Sequence, residues 1–288
     1  MQSIGFIGLG VMGQPMALHL VSEYPLVVFN RTPMRMEPLL EKGASRAPTA
    51  EALAQTCSTI FLMVKNDQAL AEVVEGPKGV LAGLRPGTLL VDHSTVSPDI
   101  TRRLAAKVWE KGSEWIDAPV TGGDIGARQA TLTIMVGGRV EAFRRAQPFL
   151  QRLGRHIIHV GEVGQGQTLK VVANLVSAIN LMAAAEGLAM GLAQGLSLSD
   201  LATVMQTGSA QSFELGKLLE RISEHRFNPG FSVENRYKDL KLAWDLAIQQ
   251  GFPPALAKVA EELYRQHYQA GFGAEDESSY IKRWTESE

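Results

Sequence analysis

The order of apolar and polar positions along the chain changes character near residue 164. Before that point, short apolar runs bounded by turn residues, which are typical of buried strands, alternate with segments of helical spacing. The predicted strands cover residues 3–7, 26–29, 59–64, 88–92, 115–117, 131–136 and 156–159. The predicted helices cover residues 15–22, 33–42, 49–55, 68–74, 98–111 and 140–153. This alternation predicts a doubly wound, mostly parallel sheet.

Beyond residue 164 the pattern predicts helices alone. They cover residues 168–194, 199–206, 211–224, 233–250, 254–270 and 278–285. We therefore expect an α/β N-terminal domain of residues 1–163 and an all-α C-terminal domain of residues 164–288, joined by a long central helix.

The long central helix is almost free of charge. Glu186 is the only charged residue between positions 170 and 200, and the apolar length would suit a membrane span. Asn174, Ser177 and Asn180 interrupt the apolar run, however, and an all-round apolar helix is also typical of a buried core helix. We expect such a core helix, placed between domains or against a second subunit, and no membrane partner.

A glycine-rich turn follows the first predicted strand. Gly8, Gly10 and Gly13 form a G-x-G-x-x-G pattern, which permits a tight turn, close backbone approach to a pyrophosphate, and close packing of helix on strand. The strand at residues 26–29 supplies the expected context. We therefore predict a Rossmann-type N-terminal domain rather than a purely structural turn. The predicted cofactor-binding residues of this turn are Gly8, Leu9, Gly10, Val11, Met12 and Gly13.

The turn after the second strand bears on which dinucleotide is bound. An NAD site usually carries an acidic residue there for the ribose hydroxyls, but this chain has Asn30, Arg31 and Thr32. A guanidinium can pair with a 2′-phosphate that a carboxylate would repel. We therefore predict NADP(H) in preference to NAD(H); the alternative is that Arg31 is a solvated loop residue.

Composition narrows the class of protein further. The 288 residues are 45% hydrophobic and 20% charged with a net charge of −2, so we expect no nucleic-acid partner. Cys57 is the only cysteine, and no histidine or cysteine spacing suggests a metal site. The chain enters a strand without a basic and apolar leader, so we expect a cytoplasmic protein.

Two small polar patterns suggest a substrate site. Thr121, Gly122 and Gly123 follow a predicted strand, where successive backbone N–H groups can bind a carboxylate; an ordinary turn is equally compatible. Lys170 and Asn174 share one face of the long helix. A lysine removed from water gives up its proton more readily, which suits acid–base chemistry, but Lys170 could also reach water from the helix start.

Other polar residues follow a strand or open a late helix. Ser94 and Thr95 come at the carboxyl end of a strand, where α/β proteins bind ligands. The neighbouring His93 is a rival base, although a lone histidine is more often structural. Lys238 lies early in a late helix and is compatible with simple solvation, whereas Phe231 could pack on a ligand or fill the core.

Taken in order, these motifs resemble the β-hydroxyacid dehydrogenase family, and most closely its NADPH-dependent glyoxylate/succinic semialdehyde reductases. The matching segments are GFIGLGVMGQPMALHL, DHSTVSP, DAPVTGGDIGARQATLTIMVGG, GQGQTLKVVANL and KDLKLAWD, which together span nearly the whole chain. Thr121 departs from the family's usual S-G-G loop; it keeps a hydroxyl but adds a methyl group.

The resemblance implies roles for individual residues. It makes Lys170 the catalytic lysine and Asn174 a catalytic and substrate-holding residue, with Thr121, Gly122 and Gly123 binding the substrate carboxylate. The residues implied to contact the cofactor, besides the glycine turn, are Asn30, Arg31, Thr32, Val64, Lys65, Thr95, Phe231 and Lys238. Val64 and Lys65 replace a common proline-containing pattern, which weakens that implied contact.

The implied activity is hydride transfer between a nicotinamide and a short β- or γ-hydroxy acid or semialdehyde, with Lys170 as general acid or base. The alternatives are a 3-hydroxyisobutyrate dehydrogenase working in the oxidative direction, an imine reductase, and a non-catalytic NADP-binding module. The presence of Lys170 counts against the last two. The apolar helical domain suggests a homodimer or homotetramer.

Overall fold

The computed structural model describes residues 3–228 and 230–285. The chain divides into two compact units, an α/β unit of residues 1–170 and a helical unit of residues 171–288. The predicted fold class, a Rossmann-type domain followed by a long helix and an all-α domain, is confirmed.

One sheet organises the α/β unit. Its strands are β1 (Ile4–Ile7), β2 (Leu26–Phe29), β3 (Ser45–Arg46), β4 (Thr59–Leu62), β5 (Leu89–Asp92), β6 (Glu114–Asp117), β7 (Val120–Thr121), β8 (Leu132–Gly137) and β9 (Gly154–Gly161). The order is β3-β2-β1-β4-β5-β6-β8-β7, with β9 also paired to β8. The strands from β3 to β6 are mutually parallel, whereas β8 runs antiparallel to β6 and β7. The strand order reverses between β1 and β4, which is where such sheets bind ligands.

The helices of the α/β unit cover both faces of this sheet's apolar strands. They are α1 (Gly13–Val21), α2 (Glu37–Leu40), α3 (Ala50–Ala54), α4 (Asp67–Glu75), α5 (Val80–Gly83), α6 (Pro98–Glu110), α7 (Gly123–Gln129) and α8 (Val140–Leu150). Two apolar clusters result, one containing Phe6 and Phe61 and the other Leu62 and Trp115. Helix α6 begins as its sequence predicts, since the Ser97 hydroxyl accepts the Ile100 N–H.

The long helix α9 (Gln165–Ala193) passes from the first unit into the second. Among the described residues it is long and apolar enough to cross a membrane by length and composition, with a mean hydropathy of 1.6. Its inward-facing Ala178, Leu181, Ala185 and Leu188 are nevertheless fully buried in the core of the helical unit. It therefore serves that unit as a core helix, as the polar interruptions predicted.

The remaining helices pack around this core. They are α10 (Leu198–Thr207), α11 (Phe213–Ser223), α12 (Val233–Gln249), α13 (Ala255–Gln269) and α14 (Lys282–Thr285). Leu215, Leu218, Leu240 and Tyr264 supply buried side chains from three of them. Short 3₁₀ turns precede α14, so the single helix predicted over residues 278–285 is wrong: a 3₁₀ turn at Glu277–Ile281 replaces its first part.

Four short elements were not predicted from the sequence pattern. Strands β3 and β7 have two residues each, and helices α5 and α7 are also short. The helix predicted over residues 33–42 is in fact a 3₁₀ turn, Pro33–Met36, followed by α2. Pro38 at the second position of α2 explains the break, because a proline supplies no N–H to bond the preceding turn.

Candidate active site

The three glycines of the turn after β1 have three different surroundings. Gly8 has φ +94°, and a Cβ there would lie 2.1 Å from the Met63 carbonyl oxygen. A Cβ on Gly13 would lie 2.0 Å from the Gly8 carbonyl oxygen, so this glycine allows α1 to pack against the turn. Gly10, in contrast, faces open space except for an Arg35 guanidinium nitrogen at 3.6 Å among the described residues. The turn thus fits a pyrophosphate at Gly10, where a ligand can approach the backbone and would meet the Arg35 guanidinium.

The start of helix α1 lies directly after this glycine turn. Its N-cap, Met12, makes no side-chain capping bond; the Gln14 N–H donates to the Gly10 carbonyl at 3.1 Å and Pro15 has no N–H, so the helix start contributes mainly the positive end of its dipole. A helix N-terminus in this state attracts negative charge. Val11, just before it, is 56% exposed. The turn and the helix start together offer N–H donors and positive potential to a phosphate group.

The turn after β2 binds the glycine turn directly. The Asn30 side-chain oxygen accepts the Leu9 N–H at 2.9 Å, and its amide donates to the Thr32 carbonyl at 2.9 Å. Asn30 therefore braces both turns with its amide group, a use that the sequence pattern did not predict. Arg31 is exposed beside it, and Arg35 is joined to α1 by the Gln14 amide, which donates to the Arg35 carbonyl at 3.0 Å. The Arg35 guanidinium thus lies beside Gly10, and Arg31 is an exposed residue of the turn that follows β2.

Hydrogen bonds link the residues that follow β4 to those that follow β5. The Val64 N–H donates to the Ser94 hydroxyl at 2.9 Å, and the Ser94 N–H donates to an Asp92 carboxylate oxygen at 3.0 Å. Thr95 follows as a half-buried residue, and Lys65 follows Val64 as an exposed one. The predicted cofactor contacts Val64, Lys65 and Thr95 therefore lie at the carboxyl ends of adjacent strands, beside the switch point of the sheet.

His93 is a structural histidine in this arrangement. It is fully buried, its Nδ1–H donates to the Ala118 carbonyl at 2.7 Å, and its ring stacks on Phe61. Burial lowers the pKa of His93 to about 4, although the Ala118 hydrogen bond opposes that shift. A histidine that stays neutral and enclosed at neutral pH does not serve as a proton donor to a substrate, which agrees with the structural interpretation of this residue.

The segment Thr121, Gly122 and Gly123 joins β7 to α7. Thr121 belongs to β7, which pairs antiparallel with β8, so the segment is a strand end rather than a free loop. Gly122 has φ +128° and Gly123 has φ +64°, conformations that favour glycine. All three residues are exposed, and a Cβ on Gly123 would meet no described atom within 4 Å. The segment therefore presents a hydroxyl and unobstructed backbone to a ligand.

Lys170 lies in the second turn of α9 and is 8% exposed. The start of that helix is fixed by a buried carboxylate: Asp117, the last residue of β6, accepts the Gly164 N–H at 2.7 Å and the Gln167 N–H at 2.9 Å. Burial raises the pKa of Asp117 to about 6, against the effect of the backbone donors. The buried lysine thus extends from a helix start that the α/β unit holds rigidly.

In the helical unit, polar side chains converge on Asn174. Its amide donates to an Asp239 oxygen at 2.5 Å, and the other oxygen of Asp239 lies 3.1 Å from the Lys238 ammonium. Arg236 donates to the Asn174 carbonyl at 3.0 Å and stacks over the Phe231 ring at 4.9 Å. The predicted residues Asn174, Phe231 and Lys238 are therefore linked within one unit by two residues, Asp239 and Arg236, that the sequence pattern did not single out.

Comparison with known proteins identifies the family. Residues 3–161 match the NAD binding domain of 6-phosphogluconate dehydrogenase, and residues 164–284 match the NAD-binding domain of NADP-dependent 3-hydroxyisobutyrate dehydrogenase. The chain is 36% identical to 2-hydroxy-3-oxopropionate reductase of Escherichia coli (strain K12), covering 97% of this chain and 96% of the relative. The chain belongs to the β-hydroxyacid dehydrogenase family.

Other members of the β-hydroxyacid dehydrogenase family show both cofactors. The NAD-dependent L-serine dehydrogenase of Pseudomonas aeruginosa is 35% identical, covering 96% of this chain and 95% of the relative. A solved structure of Psf3 in complex with NADP+ and 2-OPP has a TM-score of 0.89 and 31% identity, covering 97% of this chain and 99% of that one. The protein is therefore an NAD(P)-dependent oxidoreductase acting on CH–OH groups, which confirms the predicted enzyme class.

Sequence reasoning on this β-hydroxyacid dehydrogenase missed the residues that support the predicted ones. They are Arg35, Asp117, Gln167, Arg236 and Asp239. Asp117 and Gln167 stand inside segments that were singled out for other residues, and Asp239 directly follows Lys238. Their partners lie far along the chain, as in the 47 positions between Asp117 and Gly164, so no local spacing indicated the contacts.

Proposed function

We propose that the protein transfers a hydride between NADP(H) and a short β- or γ-hydroxy acid or semialdehyde, with Lys170 as general acid or base. The observation that carries this proposal is the position of Lys170: it is 8% exposed and lies in the second turn of α9. The bound nicotinamide supplies or accepts the hydride. The Lys170 ammonium donates a proton to the developing alkoxide in reduction, and its neutral amine accepts one in oxidation.

The substrate carboxylate is proposed to bind at Thr121, Gly122 and Gly123. Their exposure, the left-handed backbone of both glycines and the open space above Gly123 support this assignment. A carboxylate held there restricts the orientation of the rest of the substrate, and such orientation lowers the barrier of the reacting step. Asn174 is proposed to contact the substrate as well, with its amide oriented by Asp239.

The proposed cofactor is NADP(H) in preference to NAD(H). Support comes from the Arg35 guanidinium beside Gly10, from the exposed Arg31 in the turn after β2, and from the absence of an acidic residue at positions 30–32. The turn residues Gly8, Leu9, Gly10, Val11, Met12 and Gly13 are proposed to hold the pyrophosphate. Asn30 acts there through the Leu9 N–H that it binds. Further proposed contacts come from Thr32, Val64, Lys65, Thr95, Phe231 and Lys238.

The assignment of Lys170 can be tested by Lys170→Ala. We expect turnover to fall by about 10²- to 10⁴-fold, the usual range for a general acid or base, while NADPH still binds. Steady-state rates and fluorescence titration with NADPH measure the two effects. Lys78→Ala, at an exposed loop lysine, is the matched control and should keep both values. Near-normal turnover of Lys170→Ala would contradict the proposed mechanism.

The cofactor preference can be tested by Arg31→Asp. A hydrogen bond to a charged group contributes about 1.5–3 kcal/mol, so we expect NADPH to bind about 10- to 100-fold more weakly, with NADH little affected. Arg46→Asp makes the same charge change in the exposed edge strand β3 and serves as the control. Equal weakening of both cofactors, or no weakening of either, would exclude a role for Arg31 in 2′-phosphate binding.

The direction of the reaction defines a second candidate function. The match of residues 164–284 to NADP-dependent 3-hydroxyisobutyrate dehydrogenase favours oxidation of a hydroxy acid, whereas the Escherichia coli relative is named a reductase. We propose reduction, because cells generally keep the NADP pool reduced. A panel of short hydroxy acids and semialdehydes, assayed with both cofactors in both directions, separates the two functions by kcat/KM.

A cytoplasmic homodimer or homotetramer is proposed as the working form. The helical unit exposes large apolar side chains, among them Phe213 at 81% and Val204 and Met190 at 70% each. Apolar exposure on this scale is typical of surfaces that a partner subunit covers. Light scattering of the purified protein measures the oligomeric state, and a monomer at micromolar concentration would contradict the proposal.

A further inference from the structure

The start of α9 is held by a carboxylate from the sheet. Asp117 ends β6, is fully buried, and accepts N–H groups from Gly164 and Gln167 at 2.7 and 2.9 Å. These two donors belong to the first turn of the helix, where N–H groups have no partner within the helix itself. The bonds therefore fix both the position and the rotation of the helix start relative to β6.

The approach of helix and sheet at this point requires glycine on both sides. A Cβ on Gly166 would lie 2.8 Å from one Asp117 oxygen and 3.0 Å from the Gly137 nitrogen. A Cβ on Gly137 would lie 2.7 Å from the other Asp117 oxygen. Real Cβ atoms do not approach so closely, so the carboxylate is enclosed by backbone. This close packing leaves no space for a side chain between the first turn and the sheet.

A second attachment runs from the same turn to the end of β5. The Gln167 side chain is fully buried; its amide donates to the Ser94 carbonyl at 2.7 Å, and its oxygen accepts the Val96 N–H at 3.3 Å. These two bonds lie on either side of Thr95, the proposed cofactor contact. Gln167 therefore connects the helix start to the segment after β5, just as Asp117 connects it to β6.

We propose that Asp117 and Gln167 are positioning residues for the reaction: together they hold the first turn of α9, and so place Lys170 relative to Thr95 and the segment after β6. The proposal rests on the proposed function of Lys170. Lys170 follows Gln167 by three residues, less than one helical turn, so a shift of the helix start is carried to its amine. A misplacement of about 1 Å can cost about 10²-fold in rate.

The two variants that test this are Asp117→Asn and Gln167→Leu. Asparagine keeps the shape of Asp117 but turns an amide N–H₂ toward a backbone N–H, and leucine removes both bonds of the Gln167 side chain. The matched control is Ser113→Ala, since Ser113 is also buried, directly precedes β6 at the end opposite Asp117, and donates its hydroxyl to the Arg85 carbonyl at 2.8 Å, away from the helix start. Circular dichroism verifies that each variant is folded.

Two measurements decide the outcome in the full-length protein. We expect kcat to fall about 10- to 100-fold in Asp117→Asn and Gln167→Leu, with the Kd for NADPH within about 3-fold of wild type. Amide exchange over residues 164–170, measured without cofactor or substrate, should speed up in both variants. Ser113→Ala should change neither kcat nor this exchange by more than about 3-fold.

The proposal is overturned if helix-start exchange is unchanged, or if exchange speeds up while kcat stays at the wild-type value. It is also overturned if Ser113→Ala lowers kcat as much as Asp117→Asn, since general loosening of the sheet would then explain the effect. If wild type shows no activity toward any substrate on the panel, the proposed function fails instead. The rate at which acetic anhydride modifies Lys170 then tests the positioning: a change of about 5-fold or more in Asp117→Asn supports it, and an unchanged rate overturns it.

Discussion

Asp92 and Asp117 end neighbouring strands of the α/β unit and are fully buried. Asp92 accepts hydrogen bonds from Ser94, and Asp117 accepts the Gly164 and Gln167 N–H groups. Glu277 in the helical unit is just as buried, but its carboxylate binds the Arg236 guanidinium and lies 2.9 Å from the Lys217 ammonium. Neutral donors thus hold the two acids at the ends of β5 and β6, whereas cations hold Glu277.

This difference shifts the pKa values of the buried acids in opposite directions. Burial raises the pKa of Asp92 to about 7 and that of Asp117 to about 6. Burial would also raise the pKa of Glu277, but the charges of Arg236 and Lys217 outweigh it and lower that pKa below its ordinary value. Backbone donors are therefore weaker than full charges at keeping a buried carboxylate ionised.

The consequences for stability have opposite signs. The folded state holds the protons of Asp92 and Asp117 more tightly than the unfolded state does, so their contribution to stability falls as the pH rises from about 4 to about 7. Glu277 contributes stability that is present above its ordinary pKa and is lost as the pH falls through the lowered folded value. His93 has the opposite effect to Asp92 and Asp117. Because burial lowers its pKa, its contribution to stability rises as the pH rises from about 4 to about 6.5.

The largest expected effect comes from breaking the pair in the helical unit with Glu277→Gln. Removing one partner leaves Arg236, which is 3% exposed, as a buried charge without its carboxylate. We expect a loss of about 3–5 kcal/mol in the free energy of unfolding, measured by urea denaturation at pH 7. The double variant Arg236→Met/Glu277→Leu should recover much of that loss. A loss below about 1 kcal/mol would show that the pair is not what stabilises this core.

The next effect, of opposite sign, is expected from Asp92→Asn. Asparagine resembles the protonated acid and does not titrate, so the variant should match wild type near pH 4 and become the more stable protein as the pH rises. The gain should grow by up to about 1.4 kcal/mol per pH unit and level off above pH 7. Because His93 is present in both proteins, its contribution cancels, and the difference between their unfolding free energies reports on Asp92 together with its repulsion by Asp117 and Asp67. A difference that does not vary with pH would contradict the raised pKa.

The fold was predictable where the signal is local and repeated. Strands β1, β2, β4 and β5 are apolar runs, and the pattern placed each of them within a few residues. Strand β3 has two exposed residues and α7 has seven residues with internal glycines, so neither offers enough periodicity to be recognised. The strand–helix alternation predicted a doubly wound, mostly parallel sheet, but neither its strand order nor the antiparallel β8.

The residues of the candidate site also differ in whether the sequence alone could predict them. The glycine turn and Lys170 are recognisable because each belongs to one contiguous segment with a characteristic order of residues. Asp117 and Asp239 act through partners 47 and 65 positions away, so their contacts depend on the finished fold. The roles of the predicted site residues stay predictions, and the variants described above test the ones on which the mechanism depends.

The smallest expected effect comes from an exposed pair on the same helix as Arg236. Lys241 lies 2.8 Å from Asp245, but the two side chains are 57% and 47% exposed, so water screens their attraction and little desolvation is involved. A double-mutant cycle of Lys241→Ala and Asp245→Asn should give a coupling of about 0.3–0.5 kcal/mol, falling toward zero in about 1 M salt. Comparing this coupling with the loss in Glu277→Gln shows how much the contribution of an ion pair to stability depends on burial. A coupling above about 2 kcal/mol, or one insensitive to salt, would mean that exposure does not separate the two pairs.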